Sequence, residues 1–118
     1  MTENIPERSE FDSVDPAPPS EGKNISNLRN TLCDENEKMF QRMRALFALR
    51  NIGGKESVDA LAAAYSSKSA LLKHEIAYVM GQMQDSNAVP HLIDRLEDKD
   101  EDIMVRHEAA EALGAIGD

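Results

Sequence analysis

An eleven-residue segment recurs three times along the chain, and this recurrence constrains the fold more than any other feature. "RALFALRNIGG" begins at Arg44, "EIAYVMGQMQD" at Glu75 and "EAAEALGAIGD" at Glu108, so the offsets are 31 and then 33 residues. A shorter segment of helical periodicity stands between each pair of copies. Two helices per unit and a period in the low thirties are typical of a HEAT-like solenoid, in which each unit buries its apolar face against a neighbour.

Five segments show helical periodicity, and none shows the sustained alternation that predicts a strand. They are "MFQRMRALFALRNIGG", "SVDALAAAYSS", "LLKHEIAYVMGQMQD", "AVPHLIDRLEDKD" and "IMVRHEAAEALGAIGD". Gly53-Gly54 is predicted to end the first helix, Ser57 to cap the second, and Pro90 to fit the first turn of the fourth. We therefore predict an all-α fold, a HEAT-like helical-repeat solenoid (an α-α superhelix) of about two and a half repeats.

The repeats occupy residues 27–118, and residues 1–26 have a different composition. Four of the five prolines lie in this first stretch, which is otherwise mostly acidic and small polar residues. Such a stretch buries too little apolar surface to offset its chain entropy, so we predict a disordered acidic tail. The third repeat has only its first helix, and we expect the fold to be cut off within a repeat, before a second half.

The net charge is about −9, from 22 acidic and 13 basic residues. An acidic surface argues against nucleic acid or an anionic membrane as a partner and favours a basic one. Cys33 is the single cysteine, which excludes an internal disulfide and predicts a reducing, intracellular setting, the cytoplasm with the nucleus as the alternative. No apolar run approaches the roughly 18 residues that a membrane span needs.

Two His-Glu pairs, His74-Glu75 and His107-Glu108, stand 33 residues apart at equivalent repeat positions, each preceded by a basic residue. At about 100° per residue, His74 lies roughly 160° from Ile76, which belongs to the apolar stripe of its helix. Equivalent helices of neighbouring units pack about 10 Å apart. We therefore expect both imidazoles on one shared surface, with the two glutamates at its flank.

The remaining positions of these two helices divide between a core face and the face that carries the histidines. The predicted core stripes are Leu72, Ile76, Val79, Met80 and Met83 in one helix, and Ala109, Ala112, Leu113 and Ile116 in the other. Gly81 and Gly114 lie on the side of the histidines, where we expect them to leave room.

The residue types alone leave two interpretations of the His-Glu pairs open. A His-Glu dipeptide on a helix is most often a solvated surface feature, and repeats also copy residues without a role. Imidazole nitrogen and carboxylate oxygen are, however, the donors of non-haem iron sites and suit zinc or manganese. A mononuclear site could use two histidines and one glutamate, whereas a dinuclear site needs more ligands than the two pairs supply.

Other candidate residues point to structural roles. His91 has no repeat equivalent and is predicted to be a surface or boundary histidine. The run "EDKDED" at 97–102 is predicted to be a solvated loop and helix start, because it lacks the glycine and regular spacing of a calcium loop. Cys33 has no catalytic partner in view, and no phosphate loop, serine elbow or zinc-binding cysteine cluster occurs.

The stretches "RALFALRNIGG", "SALLKHEIAYVMGQMQD", "AVPHLIDRLEDKDED" and "MVRHEAAEALGAIGD" resemble the N-terminal half of the deoxyhypusine hydroxylase family. The resemblance covers residues 27–118 and includes both His-Glu pairs with their neighbours. It implies a dyad of two HEAT-repeat halves, each giving two His-Glu motifs to a non-haem di-iron (Fe²⁺) centre. The implied activity uses dioxygen to hydroxylate the deoxyhypusine of eukaryotic translation initiation factor 5A, which completes hypusine.

Carried over by position, the resemblance makes His74, His107 and Glu108 iron ligands. It makes Glu75 either a ligand or a carboxylate that binds substrate. The implied partners are translation initiation factor 5A bearing deoxyhypusine and the C-terminal half of the same enzyme.

The family's second half has no counterpart here. In the first repeat, Met43-Arg44 stands in place of a His-Glu pair, so we expect this repeat to supply no ligand. We therefore expect a fragment, whether a truncated product or an incomplete gene model, that is inactive alone; assembly of two copies is the less favoured arrangement. The alternative function is a non-catalytic HEAT-repeat scaffold, or a HEAT-like protein of the bilin-lyase type.

Overall fold

A computed structural model describes residues 24–117, which form a helical solenoid without a strand in that range. The predicted tail lies almost entirely outside the described residues. The helices are α1 (Ile25–Cys33), α2 (Met39–Ile52), α3 (Gly54–Ala63), α4 (Ala70–Met83), α5 (Val89–Glu97) and α6 (Ile103–Ile116). Short 3₁₀ turns at Ala64–Ser66 and Ser86–Ala88 precede α4 and α5. The prediction of an all-α, HEAT-like repeat fold is confirmed.

The helices form two rows. The three longest, α2, α4 and α6, pack side by side in one row, while α1, α3 and α5 cover them from the other side. The predicted core stripe of α4 is confirmed, since Leu72, Ile76, Val79 and Met80 have no exposed surface. In α6, Ala109 and Ala112 are buried as predicted, and Leu113 and Ile116 are half-buried.

Helix α1 was not predicted from the sequence. It begins at Ile25, two residues inside the predicted tail, and is capped by the Asn24 side chain, which accepts from the Asn27 backbone N–H. Its nine residues bury only Leu28 and Leu32. A helix with so few apolar positions has a weak periodic signal, and packing against α2 and α3 stabilises it.

The predicted cap of α3 is wrong. Gly53 ends α2 as predicted, but it also stands directly before α3, which begins at Gly54. Both glycines have positive φ angles, 72° and 87°, so the chain reverses at once and no spacer precedes the helix. Ser57 is therefore inside α3, where it is fully buried. Pro90 lies in the first turn of α5, as predicted.

None of the helices in residues 24–117 is both long enough and apolar enough to cross a membrane.

Helices α4 and α6 approach closely where two small residues meet. A Cβ atom added at Gly81 would lie 3.1 Å from the Ala112 Cα and 3.2 Å from the Ala112 Cβ. The repeat-equivalent Gly114, on α6, has no heavy atom within 4 Å of such a Cβ. The smallness of Gly81 thus serves helix packing, while Gly114 faces open space.

Substituting these two glycines by alanine should shift stability in opposite directions. Gly114→Ala should raise the free energy of unfolding by about 0.5–1 kcal/mol, since alanine is the better helix former. Gly81→Ala should lower it by about 1 kcal/mol or more, because the new methyl presses on the α6 backbone. Urea unfolding followed by circular dichroism measures both, and equal stabilisation by the two variants would contradict the close packing.

Candidate metal centre

The two His-Glu motifs meet through one contact between α4 and α6. The Nε2 atom of His74 lies 3.1 Å from the Oε1 atom of Glu108, and their side chains are 33% and 15% exposed. This contact depends on the α4–α6 packing, because the residues belong to different repeat units. Helical spacing predicted that His74 and His107 lie together with Glu108 at their flank, whereas in the structure Glu108 contacts His74.

His107 makes a different contact. Its Nε2 atom lies 3.1 Å from the Oε2 atom of Glu111, one turn later on the same helix, and both side chains are 63% exposed. Neither His74 nor His107 lies in the core between helices. Glu75 is half-buried on α4. The structure therefore brings one histidine and one glutamate together and pairs the other histidine with Glu111.

A groove runs between α4 and α6 beside Glu108. Its lining combines small residues with carboxylate, amide and phenol side chains; the lining residues are Tyr78, Gly81, Gln82, Gln84, Glu108, Glu111, Ala112 and Ala115. Neither histidine lines this groove. The expectation that Gly81 leaves room beside them is not met, because Gly81 is held against Ala112.

The equivalent position of the first repeat carries no donor. Met43 is 8% exposed and packs into the core. Arg44 places its guanidinium 5.9 Å from the centroid of the Phe40 ring. The first unit therefore has neither an imidazole nor a carboxylate at this position.

The donors present fit part of an iron coordination sphere. A carboxylate oxygen beside an imidazole nitrogen is a suitable pair for Fe²⁺, and the pair is partly shielded from water. No group of three or more His, Cys, Asp or Glu side chains within residues 24–117 is arranged to hold a metal ion. In a metal site, His74 and Glu108 would supply two adjacent ligand positions, and further donors would have to join them.

Lys73, the basic residue before the first motif, ties one unit to the next, a role that was not predicted from the sequence. Lys73 Nζ donates to Glu101 Oε1 at 2.7 Å, and Arg95 donates to Glu101 Oε2 at 2.7 Å. Glu101, in the loop before α6, is buried, so the interpretation of "EDKDED" as a solvated loop is wrong at this residue. In the first unit, Arg42 is also buried and donates to Ser67 Oγ.

The other two candidates have structural surroundings. His91 Nε2 lies 3.3 Å from Asp59 Oδ1, which links α5 to α3 at the half-exposed boundary predicted for it. Cys33 is a free thiol whose pKa is raised by burial, which disfavours the reactive thiolate.

Comparison with known proteins supports the fold. The family model described as "HEAT repeats" matches residues 71–118, and the one described as "PBS lyase HEAT-like repeat" matches residues 41–67. The deoxyhypusine hydroxylase of Xenopus laevis is 55% identical over 111 residues, which are 94% of this chain and 37% of that protein. The human one is 54% identical over 104 residues, 88% of this chain and 34% of that protein.

A solved structure of human deoxyhypusine hydroxylase in complex with glycerol superposes with a TM-score of 0.86 at 50% identity. It covers 96% of this chain and 39% of the human chain. The chain thus spans a little over a third of the length of the relatives it matches.

Glu101 should make stability depend on acid pH. Burial raises its pKa, but hydrogen bonds from Lys73, the Asp102 backbone and Arg95 outweigh this, so the folded-state pKa is lowered from 4.5. The unfolded state then binds the proton first, and the contribution of Glu101 is lost as pH falls below 4.5. Between pH 5 and 3, unfolding free energies should fall more steeply for the wild type than for Glu101→Gln; parallel curves would contradict this.

Proposed function

This chain is a HEAT-repeat relative of the deoxyhypusine hydroxylases, and from that premise we propose that it forms part of such an enzyme, a monooxygenase that uses iron and dioxygen. The proposed reaction hydroxylates the deoxyhypusine residue of translation initiation factor 5A to hypusine. The observation that carries the proposal is the His74–Glu108 contact at 3.1 Å, which joins the two motifs across α4 and α6.

In this proposal His74, His107 and Glu108 hold iron, and Glu75 is either a fourth ligand or a carboxylate that binds a substrate amine. The chemistry that Fe²⁺ supplies in such a site is the activation of dioxygen for insertion of one oxygen atom into a C–H bond. The neutral imidazoles bind Fe²⁺ without adding charge, and the carboxylate offsets part of the metal's charge. Partial burial of Glu108 limits the access of water to that side of the site.

Ligand number determines what else the site needs. The two motifs offer two imidazoles and at most two carboxylates, which is enough for one iron ion and too few for a di-iron centre. We propose that the remaining donors come from a C-terminal half of the same enzyme, which would contribute two further His-Glu motifs. The isolated chain would then bind iron weakly and would not turn over.

The charge of the chain suits the proposed substrate. Deoxyhypusine carries a side chain with two amines, and the net charge of about −9 attracts such a cation and a basic loop around it. Glu111 places a further exposed carboxylate on the rim of the groove beside Glu108. A cytoplasmic enzyme, with the nucleus as a second location, matches this partner, and neither nucleic acid nor a membrane is needed.

A non-catalytic HEAT-repeat scaffold is the second candidate. The observation in its favour is that no three donors within residues 24–117 converge. A scaffold would tolerate loss of either histidine without losing partner binding, whereas the enzyme would not.

The proposal is tested in an enzyme reconstituted by joining this chain to the remaining part of a deoxyhypusine hydroxylase. His107→Ala should lower bound iron and abolish hydroxylation of deoxyhypusine-bearing factor 5A, because a methyl group has no lone pair to donate. Glu75→Gln should reduce activity more than iron content if Glu75 holds a substrate amine. Iron analysis and mass spectrometry of the product measure the two effects.

His91→Ala is the matched control, since His91 contacts Asp59 and lies outside both motifs. It should retain iron and activity. Full activity in the His107→Ala enzyme would refute the ligand assignment, and robust turnover by residues 1–118 alone would refute the need for a second half.

A further inference from the structure

Glu101 is a buried carboxylate placed where three elements meet. Its side chain is 1% exposed and accepts one hydrogen bond each from Lys73 on α4 and Arg95 on α5, both at 2.7 Å. It also accepts from the backbone N–H of Asp102 at 2.8 Å, at the N-terminus of α6. Charge-assisted bonds of this length are the strong class, and two of them leave Glu101 little freedom to move.

These contacts adjoin the candidate iron ligands. Lys73 immediately precedes His74 on α4, so its bond to Glu101 fixes the turn that carries this imidazole. Asp102 caps α6 through its side chain, which accepts from the Met104 N–H. Glu108 follows about two turns later on that helix. The Glu101 carboxylate therefore connects the starts of the two helices whose side chains meet at the His74–Glu108 contact.

The first repeat shows the same connection without a site. Arg42 stands where Lys73 stands in the second repeat, and its guanidinium donates to Ser67 in the loop before α4 and to Glu35. The residue after Arg42 is Met43, which is buried in the core. A hydroxyl and an exposed carboxylate accept from one cation in this unit, whereas the unit that carries His74 uses a buried carboxylate with two cations.

We propose that Glu101 is a positioning residue for the candidate iron centre, holding α4 and α6 in the register that brings His74 against Glu108. This inference rests on the proposed function, which makes the His74–Glu108 contact part of an iron centre. The physical reason for a carboxylate is the burial of Lys73 and Arg95, whose side chains are 16% and 21% exposed. Without an anion between them, the two cations would repel each other and move apart. The positions of α4 and of the α5–α6 loop would then shift.

The test measures the placement of the two side chains by NMR in the metal-free chain. The wild type should give a nuclear Overhauser effect between the His74 ring protons and the Glu108 side-chain protons. Glu101→Ala should abolish it while the chain remains helical. Glu101→Gln should retain a weakened signal, because the amide NH2 group that replaces one carboxylate oxygen cannot accept a hydrogen bond from either cation.

Glu35→Ala is the matched control, since Glu35 bonds the equivalent basic residue, Arg42, in the repeat that lacks a histidine. It should leave the His74–Glu108 signal unchanged even if it lowers the melting temperature. If Glu101→Ala does not fold, Lys73→Met provides the same test, because it removes the α4 side of the connection and leaves the Arg95 bond.

A signal of wild-type strength in a folded Glu101→Ala or Lys73→Met chain would refute the positioning role and leave only a structural one. Loss of the signal in the Glu35→Ala chain as well would also refute it, because the effect would then be general. Neither result depends on iron or on turnover, so a failure here is distinguishable from a failure of the proposed function.

Discussion

The packing of α4 against α6 is the constraint on which the candidate site depends. His74 and Glu108 belong to different repeat units, and they meet only because the two helices lie close enough for side chains to bridge them. Gly81 permits this approach by presenting no side chain to Ala112. A backbone contact about two turns from His74 and one turn from Glu108 thus controls the distance between these two side chains, since both helices are rigid over that length.

Ion pairs and hydrogen bonds hold neighbouring elements of the solenoid together. Arg42 reaches the loop before α4, and Lys73 reaches the loop before α6. Arg42 also donates through Nε to the Leu32 carbonyl, and Arg106 makes the equivalent bond to the Leu96 carbonyl. The basic residue that precedes each motif position therefore repeats for a structural reason, independent of the histidine that follows it in two units of the three.

The candidate functional residues are ones that the repeat fold does not require. Met43 occupies the motif position of the first unit and joins the core, while His74 and His107 occupy it in the next two and lie outside the core. A histidine at the position that Met43 occupies in the first unit is less buried than the methionine and provides a nitrogen donor. Under the proposed function, two such donors with their carboxylates, placed on adjacent helices, would supply one part of a metal site.

The sequence alone determined the fold class, the repeat offsets, the core stripe of α4 and the residues able to donate to a metal, because all of these depend on local periodicity and side-chain chemistry. Helix α1 was not predicted, since a short helix carries little periodic signal. The start of α3 was predicted wrongly, because it depends on the backbone angles at Gly53 and Gly54. Only the tertiary structure decided that His74 faces Glu108 and that Glu101 is buried. Both depend on the distance and register between helices more than twenty residues apart in sequence, which the periodicity of a single helix does not encode.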